Sequence, residues 1–290
     1  MKNQPKVLLF GTSVAVAAVL LSPGQGMGQT VGLSNDGSSV SVNLSGANSG
    51  MNWWNVPGSS QNQLDQQWFY YSINGGLVQS IDTLAGGALT YNPSGGNNTY
   101  NQDGGNDTLS VIYANAQLSI SLEYVLQGTG MGSASITESI AVDNNTGAPF
   151  NLNLFEYSNF NLLQSDNNTA TVYADTVTGP GYNYASQTSG ATAIQQGISS
   201  PDATYAEAGP SGTVLSDVTS GSNLNGPLTS GPGDVAWAFQ WNTTVAAQPD
   251  EFDELGSGSL SITNVPEPST FALIGLGLGA LGWMRRRPLA

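Results

Sequence analysis

The stretch Leu118-Ser119-Ile120-Ser121-Leu122-Glu123-Tyr124-Val125-Leu126 decides the fold, because an apolar side chain stands at every second position. Successive side chains of a strand point to opposite faces, so a period of two marks a strand with one buried face. The same alternation sets Val40, Val42 and Leu44 against Ser39, Ser41 and Asn43, and places Ile136, Ile140 and Val142 on another strand. Asp143-Asn144-Asn145-Thr146-Gly147 stops that strand, and Phe150, Leu152 and Leu154 start the next. These turn residues accept positive φ and Pro149 sits at the re-entry, so the segment predicts a hairpin. Further strands are expected at 68–73, 76–84, 109–115, 171–177, 192–198, 213–218, 235–241 and 260–264. Val235, Trp237, Phe239 and Trp241 share one face and predict the central core strand. No stretch between the two termini has a helical period. Short strands punctuated by glycine and asparagine predict an all-β fold, an antiparallel β-sandwich or jelly-roll-like domain.

Charge narrows the function. All five basic residues are Lys2, Lys6, Arg285, Arg286 and Arg287, so residues 7–284 carry none, and twenty acids give a formal net charge of −15. Nothing in such a domain neutralises a phosphate, which excludes nucleic acid and anionic headgroups as partners. Without cysteine or histidine the chain builds no disulfide, no Ser-His or Cys-His nucleophile and no ordinary zinc site. No ion pair exists to be broken by protonating a carboxylate, so tolerance of acid surroundings is expected.

The two ends read as export signals. Lys2 and Lys6 precede the apolar run Val7–Leu21, Pro23 and Gly24 end it, and Gly26 and Gly28 place small residues before Gln29. Residues 1–28 therefore predict a signal peptide cut by signal peptidase, with an uncleaved anchor as the alternative. At the other end Val265-Pro266-Glu267-Pro268-Ser269-Thr270 is followed by the uncharged run Phe271–Met284 and by Arg285, Arg286 and Arg287. Both prolines keep their segment extended. The apolar run reaches about 21 Å as a helix, short of the ~30 Å hydrocarbon core, and snorkelling arginines make up part of the difference. Basic charge against one end of an apolar segment is the positive-inside signature of a short transmembrane helix. The expected division is 1–28 signal peptide, 29–263 β-sandwich ectodomain and 264–290 sorting signal, the last comprising motif 265–270, transmembrane helix 271–284 and basic tail 285–290.

The Pro-Glu-Pro core, the Gly-rich apolar helix and the terminal arginine cluster together resemble the PEP-CTERM sorting signal of Gram-negative bacteria. The resemblance implies that an exosortase, a membrane cysteine protease, processes the chain near Val265, Pro266, Glu267 and Pro268. It also implies delivery from an inner-membrane-anchored precursor to the cell surface or extracellular matrix. Arg285, Arg286 and Arg287 are read as a topology lock on that precursor. Ser135–Ile140, Asn144-Asn145-Thr146-Gly147 and Leu154–Leu162 are similar to the ectodomains of many PEP-CTERM proteins, with Asn159 where an aspartate is usual. That likeness implies a shared β fold and no activity.

The remaining chemistry is that of carboxylates and aromatics. Glu123, Glu138 and Glu156 lie in expected strands and are the candidates for the paired carboxylates of a glycoside hydrolase. Asp103-Gly104-Gly105-Asn106-Asp107 offers a calcium candidate at Asp103 and Asp107, and the same residues fit a plain glycine turn. No other cofactor is expected. Asp250, Glu251, Asp253 and Glu254 read as a solvated acidic run. Trp53 and Trp54 are the candidates for stacking on a glycan, with Trp68–Tyr71, Tyr182 and Tyr184, and Trp237 and Trp241 as further aromatic groups whose alternate members belong to the core. The expected function is that of an exported, non-catalytic surface or matrix protein associated with biofilm exopolysaccharide. A carbohydrate-binding module, or a carboxylate-based glycoside hydrolase, is the alternative.

Overall fold

The structure is a computed structural model that describes residues 28–57, 59, 61–86, 88–95, 104–130, 132–177, 180–247 and 253–264, with 85, 86, 88, 200 and 253–264 described in the backbone alone. Residues 1–27 of the expected signal peptide, Asp103, Asp250, Glu251 and the sorting signal from Val265 onward lie outside the described residues. No helix among the described residues is long and apolar enough to cross a membrane.

In chain order the strands are β1 (Thr30–Asn35), β2 (Ser38–Asn43), β3 (Gly50–Asn55), β4 (Leu64–Ile73), β5 (Gln79–Ser80), β6 (Ala88–Gly95), β7 (Asn106–Ala114), β8 (Leu118–Gly128), β9 (Ser133–Asn144), β10 (Phe150–Phe160), β11 (Asn168–Ala174), β12 (Tyr182–Ser189), β13 (Thr192–Ser200) and β14 (Tyr205–Pro210). Helix α1 (Ser211–Ser220) follows, then β15 (Thr229–Gly233), β16 (Val235–Val245) and β17 (Asp253–Asn264). Among the described residues they form two antiparallel sheets. The first runs β1-β2-β3-β4-β10-β16-β14, with β5 paired to β4, and the second runs β15-β11-β12-β13-β17-β9-β8-β7-β6.

The period of two does what it predicts. On β8, Leu118, Ile120, Leu122, Tyr124 and Leu126 are buried while Glu123 is exposed. On β16, Val235, Trp237, Phe239 and Trp241 are all buried, and the strand lies between β10 and β14. Aromatic rings meet within the mainly aliphatic core between the sheets: Phe160 stacks on Trp237 at 5.3 Å and 11°, Trp54 tilts against Phe160 at 6.3 Å, and Trp68 meets Tyr113 edge-on at 6.0 Å. Truncating a buried ring of this kind costs about 3–5 kcal/mol.

Three sequence expectations are corrected. The segment 213–218 is not a strand but part of α1, which buries Val214 and Val218 over Phe155 and Tyr157 on the outer face of the first sheet. Serine, threonine and valine are poor helix formers, so burial of an i, i+4 pair overrides propensity. Segment 76–84 contains only the two-residue β5 before a 3-10 turn at Ile81–Gly86, whose Ile81 and Leu84 are buried in the core. The expected hairpin at Asp143–Gly147 is instead a corner between sheets, because β9 pairs with β8 and β17 whereas β10 pairs with β4 and β16. Turn chemistry specifies the reversal, not the pairing of what flanks it.

Asn144 builds that corner. Its Oδ1 accepts from Thr146 N at 2.8 Å and Oγ1 at 2.6 Å, and its Nδ2 donates to the carbonyls of Ala148 at 2.9 Å and Ala246 at 3.0 Å. Asn144→Ala orphans these buried groups and is expected to lower stability by about 2 kcal/mol or more. Urea unfolding followed by tryptophan fluorescence measures this as a lower midpoint at unchanged slope.

Candidate functional site

A shallow cleft of about 640 Å³ on the outer face of the first sheet is lined by Ser41, Asn48, Asn52, Trp53, Asp65 and Gln66. It exists because the sheet is irregular at this point. Ser41 pairs with Trp53 but Val42 pairs with Met51, so Asn52 is an extra residue bulged on β3. β3 then meets β4 only at Met51 and Gln67. Gly50, at φ 116°, makes the close approach possible, since a Cβ there would lie 2.5 Å from the Gln67 carbonyl oxygen. Gln66 Nε2 donates to the Ser49 carbonyl at 3.1 Å and Asn43 Nδ2 to the Asn48 carbonyl at 3.1 Å, which fixes the cleft walls.

The two tryptophans part company. Trp53 is half-buried in the cleft wall with an indole available to a ligand. Trp54 is 0 % exposed, packs on Phe160 and donates Nε1 to Ser38 Oγ at 3.2 Å, so its expected role in glycan stacking is overturned by strand alternation. Beside Trp53, burial and the Asp234 charge hold the Asp65 carboxyl above its usual range, while a hydrogen bond with Asn161 pulls it down. Tyr70 is pushed up to about 12 by burial and by Asp82. Tyr157 is pushed up by burial, then by Asp234 and Tyr70. Asp234 is itself fixed by Ser211 Oγ, which donates to its Oδ2 at 2.6 Å. Asn159, the cross-strand partner of Gln66, keeps its Oδ1 buried with no hydrogen-bond partner.

The carboxylates expected in the strands are divided differently. Glu123 is exposed on the outer face of the second sheet. Glu138 on β9 and Glu156 on β10 face each other across the sandwich, 5 % and 4 % exposed. Gln67 Nε2 donates to Glu138 Oε2 at 3.3 Å and to Glu156 Oε1 at 3.0 Å. Gln196 Nε2 also donates to Glu156 Oε1, and Trp237 Nε1 donates to Gln196 Oε1 at 2.6 Å. The two carboxyls hydrogen-bond each other, which requires a proton between them. Burial, first, and the neighbouring carboxyl push Glu138 well above the usual range. Burial also raises Glu156, while its amide donors oppose the rise. Both carboxyls are therefore held above the usual carboxylate range, and the proton belongs to the pair rather than to either member. Tyr124, next to Glu138 on β8, is driven up by burial and by this pair. The pair has the residue types of a glycosidase, but both members are sealed between the sheets and meet no cleft.

Other expected sites are dispersed. Asp107 is 8 % exposed on β7 with Asn35 Nδ2 3.4 Å from its Oδ2, and no group of three acids able to hold a metal occurs among the described residues. Trp237 and Trp241 belong to the core. Tyr184 meets Tyr173 at 5.2 Å and 50° on the second sheet. A second cleft of about 510 Å³, lined by Asn74, Asn151, Asn153, Asn242 and Thr244 among others, offers amides but no ring. Sequence reasoning missed the contributions of Asp65, Gln66 and Asn52 to the Trp53 cleft, since only the bulge on β3 brings them to one place.

The shared proton has a measurable consequence. Glu138 has a native-state affinity for protons above that set by its ordinary value of 4.5. The folded state therefore binds more protons than the unfolded state above that value, and stability falls as pH rises toward the native value. Glu138→Gln removes the ionisable group but keeps the shape. It is expected to raise the melting temperature at pH 8–9 and to leave it nearly unchanged at pH 4, flattening the pH profile. Scanning calorimetry over that range checks it.

Residues 264–287 match the family model described as the PEP-CTERM protein-sorting motif. No curated protein sequence matches the chain. Among solved structures, a bacterial glucoamylase complexed with acarbose is similar over 88% of this chain and 36% of its own, at 10% identity and TM-score 0.53. The chain thus spans about a third of that glucoamylase, and the likeness is one of fold. The Slr1438 protein from Synechocystis sp. PCC 6803 aligns over 85% of this chain and 99% of its own at 13% identity and TM-score 0.48. A putative aldose 1-epimerase from Escherichia coli K12 aligns over 81% and 98% at 10% identity and TM-score 0.41. The motif is a signal for exosortase processing and marks export to the cell envelope, and the protein carrying it here is a PEP-CTERM domain-containing protein with an antiparallel β-sandwich.

Proposed function

We propose that this is a non-catalytic glycan-binding protein of the cell surface or extracellular matrix, delivered as a membrane-anchored precursor and released by exosortase. The Trp53 cleft carries the reading: an accessible indole with Asn48, Asn52, Asp65, Gln66 and Ser41 around it. An indole face takes the apolar face of a pyranose, and amides and carboxylates take its hydroxyls. The −15 charge and the absence of any basic residue from 7 to 284 favour a polyhydroxylated partner over a phosphorylated one. Sealed Glu138 and Glu156 leave the interior without a reachable acid–base pair, which supports binding over hydrolysis.

Signal peptidase at the N-terminus, exosortase at Val265–Pro268 and a cytoplasmic lock at Arg285–Arg287 complete the proposed route. Intact-mass measurement of surface-extracted protein is expected to find residues 285–290 removed; their retention would mean a permanent anchor. Trp53→Ala is expected to weaken binding of oligosaccharides about ten- to hundredfold without changing the fold. Trp54→Ala is expected to lower stability by about 3–5 kcal/mol and to act on binding only through unfolding. Titration calorimetry with β-linked hexasaccharides, paired with thermal melts, separates these outcomes.

A further inference from the structure

We propose that Ser158 and Gln196 join in a covalent cross-link between the two sheets, an ester formed from the serine hydroxyl and the glutamine side-chain amide with release of ammonia. Ser158, fully buried on β10, stands between Gln67 and Trp237 on the inward face of the first sheet. Its Oγ donates at 3.4 Å to Oε1 of Gln196, which belongs to β13 of the second sheet. The same oxygen accepts from Trp237 Nε1 at 2.6 Å, and Gln196 Nε2 donates to Glu156 Oε1. An indole N–H only donates, which fixes the amide with its oxygen toward Trp237 and its nitrogen toward the carboxyl pair.

Each atom of that amide meets the group that acyl transfer needs. A hydroxyl lies against the carbonyl, an N–H polarises its oxygen, and Glu156, joined to Glu138, holds a proton beside the leaving nitrogen. Ser158 Oγ adds to Cδ of Gln196 while the hydroxyl proton moves to Oε1 and the carboxyl pair gives its proton to Nε2. The Cδ–Nε2 bond then breaks, ammonia departs, the proton on Oε1 returns to the pair, and the Oγ–Cδ ester remains. No co-reactant is consumed. Ser158 and Gln196 are both 0 % exposed, so the ester is shielded from the water that would hydrolyse it. The chain has no cysteine for a disulfide and no lysine from 7 to 284 for an amide cross-link, which leaves hydroxyls and carboxamides as its cross-linking groups.

Peptide mapping of the full-length folded protein by mass spectrometry after pepsin digestion tests this. The segments holding Ser158 and Gln196 are expected as one cross-linked species, lighter than their sum by one ammonia and separated by hydroxylamine. Ser158→Ala is expected to abolish that species, to return Gln196 to its unmodified mass and to lower the melting temperature. Trp237→Phe keeps a ring in the core and removes the donor. It is expected to slow cross-linking about a hundredfold in a time course on freshly translated protein, with circular dichroism establishing that each variant is folded. Recovery of Ser158 and Gln196 in separate unmodified peptides from the folded wild-type protein overturns the proposal, as does ammonia loss that maps instead to Gln29 or to an asparagine. A cross-link that forms as fast in Trp237→Phe as in the wild type overturns the assigned chemistry.

Discussion

Between residues 7 and 284 the chain has no lysine, arginine or histidine, and the sandwich is built around two buried carboxyls, Glu138 and Glu156, that are held by a proton and by amides instead of a cation. Glu138 comes from the second sheet and Glu156 from the first, with Gln67, Gln196 and Trp237 arranged around them. An isolated carboxylate in that position carries a prohibitive desolvation cost. Two carboxyls sharing a proton carry only one negative charge, and the glutamine amides direct their donors at it. The network also spans the layers, since Gln196 belongs to β13 of one sheet and Trp237 to β16 of the other. It fixes how the sheets sit on each other in a way that apolar contact, being non-directional, does not.

The same compositional constraint has the opposite effect on the outer face. Inside, the missing cations are replaced by a proton. On the surface at Trp53, the Asp65 charge stays in place and faces a cleft. Local irregularity makes the difference: the bulge at Asn52 and the contact between Gly50 and β4 open the first sheet where the rest of it is regular. A sheet that pairs evenly presents a flat face, and this one presents a notch.

Fold class was legible because alternation in segments such as Leu118–Leu126 and Val235–Trp241 carries the inside and outside faces directly. The C-terminal signal was legible because its three parts occur in order. Long-range placement was not. Asn144-Asn145-Thr146-Gly147 announces a reversal, but whether the chain returns beside itself or crosses to the other sheet depends on β8 and β17. Helix α1 lacks a strong helix-forming composition, and only Gly221, left-handed at φ 80°, advertised its end. Trp53 and Trp54 looked equivalent as a pair; one position of strand alternation sends one outward and the other into the core. That Glu138 and Glu156 meet was unreadable, since nothing local in either strand specifies the opposite sheet.

The place of β17 has a consequence for the timing of assembly. It lies between β13 and β9 and pairs with both, so the second sheet is two separate ribbons, β15-β11-β12-β13 and β9-β8-β7-β6, until the last strand is inserted. Its final residue, Asn264, is also the first residue of the sorting motif. The segment that closes the sheet is therefore the last of the described strands and runs without a spacer into the sorting motif. Closure of the second sheet and the start of the sorting motif thus fall at the same residue, and a chain cut short before β17 would lack both.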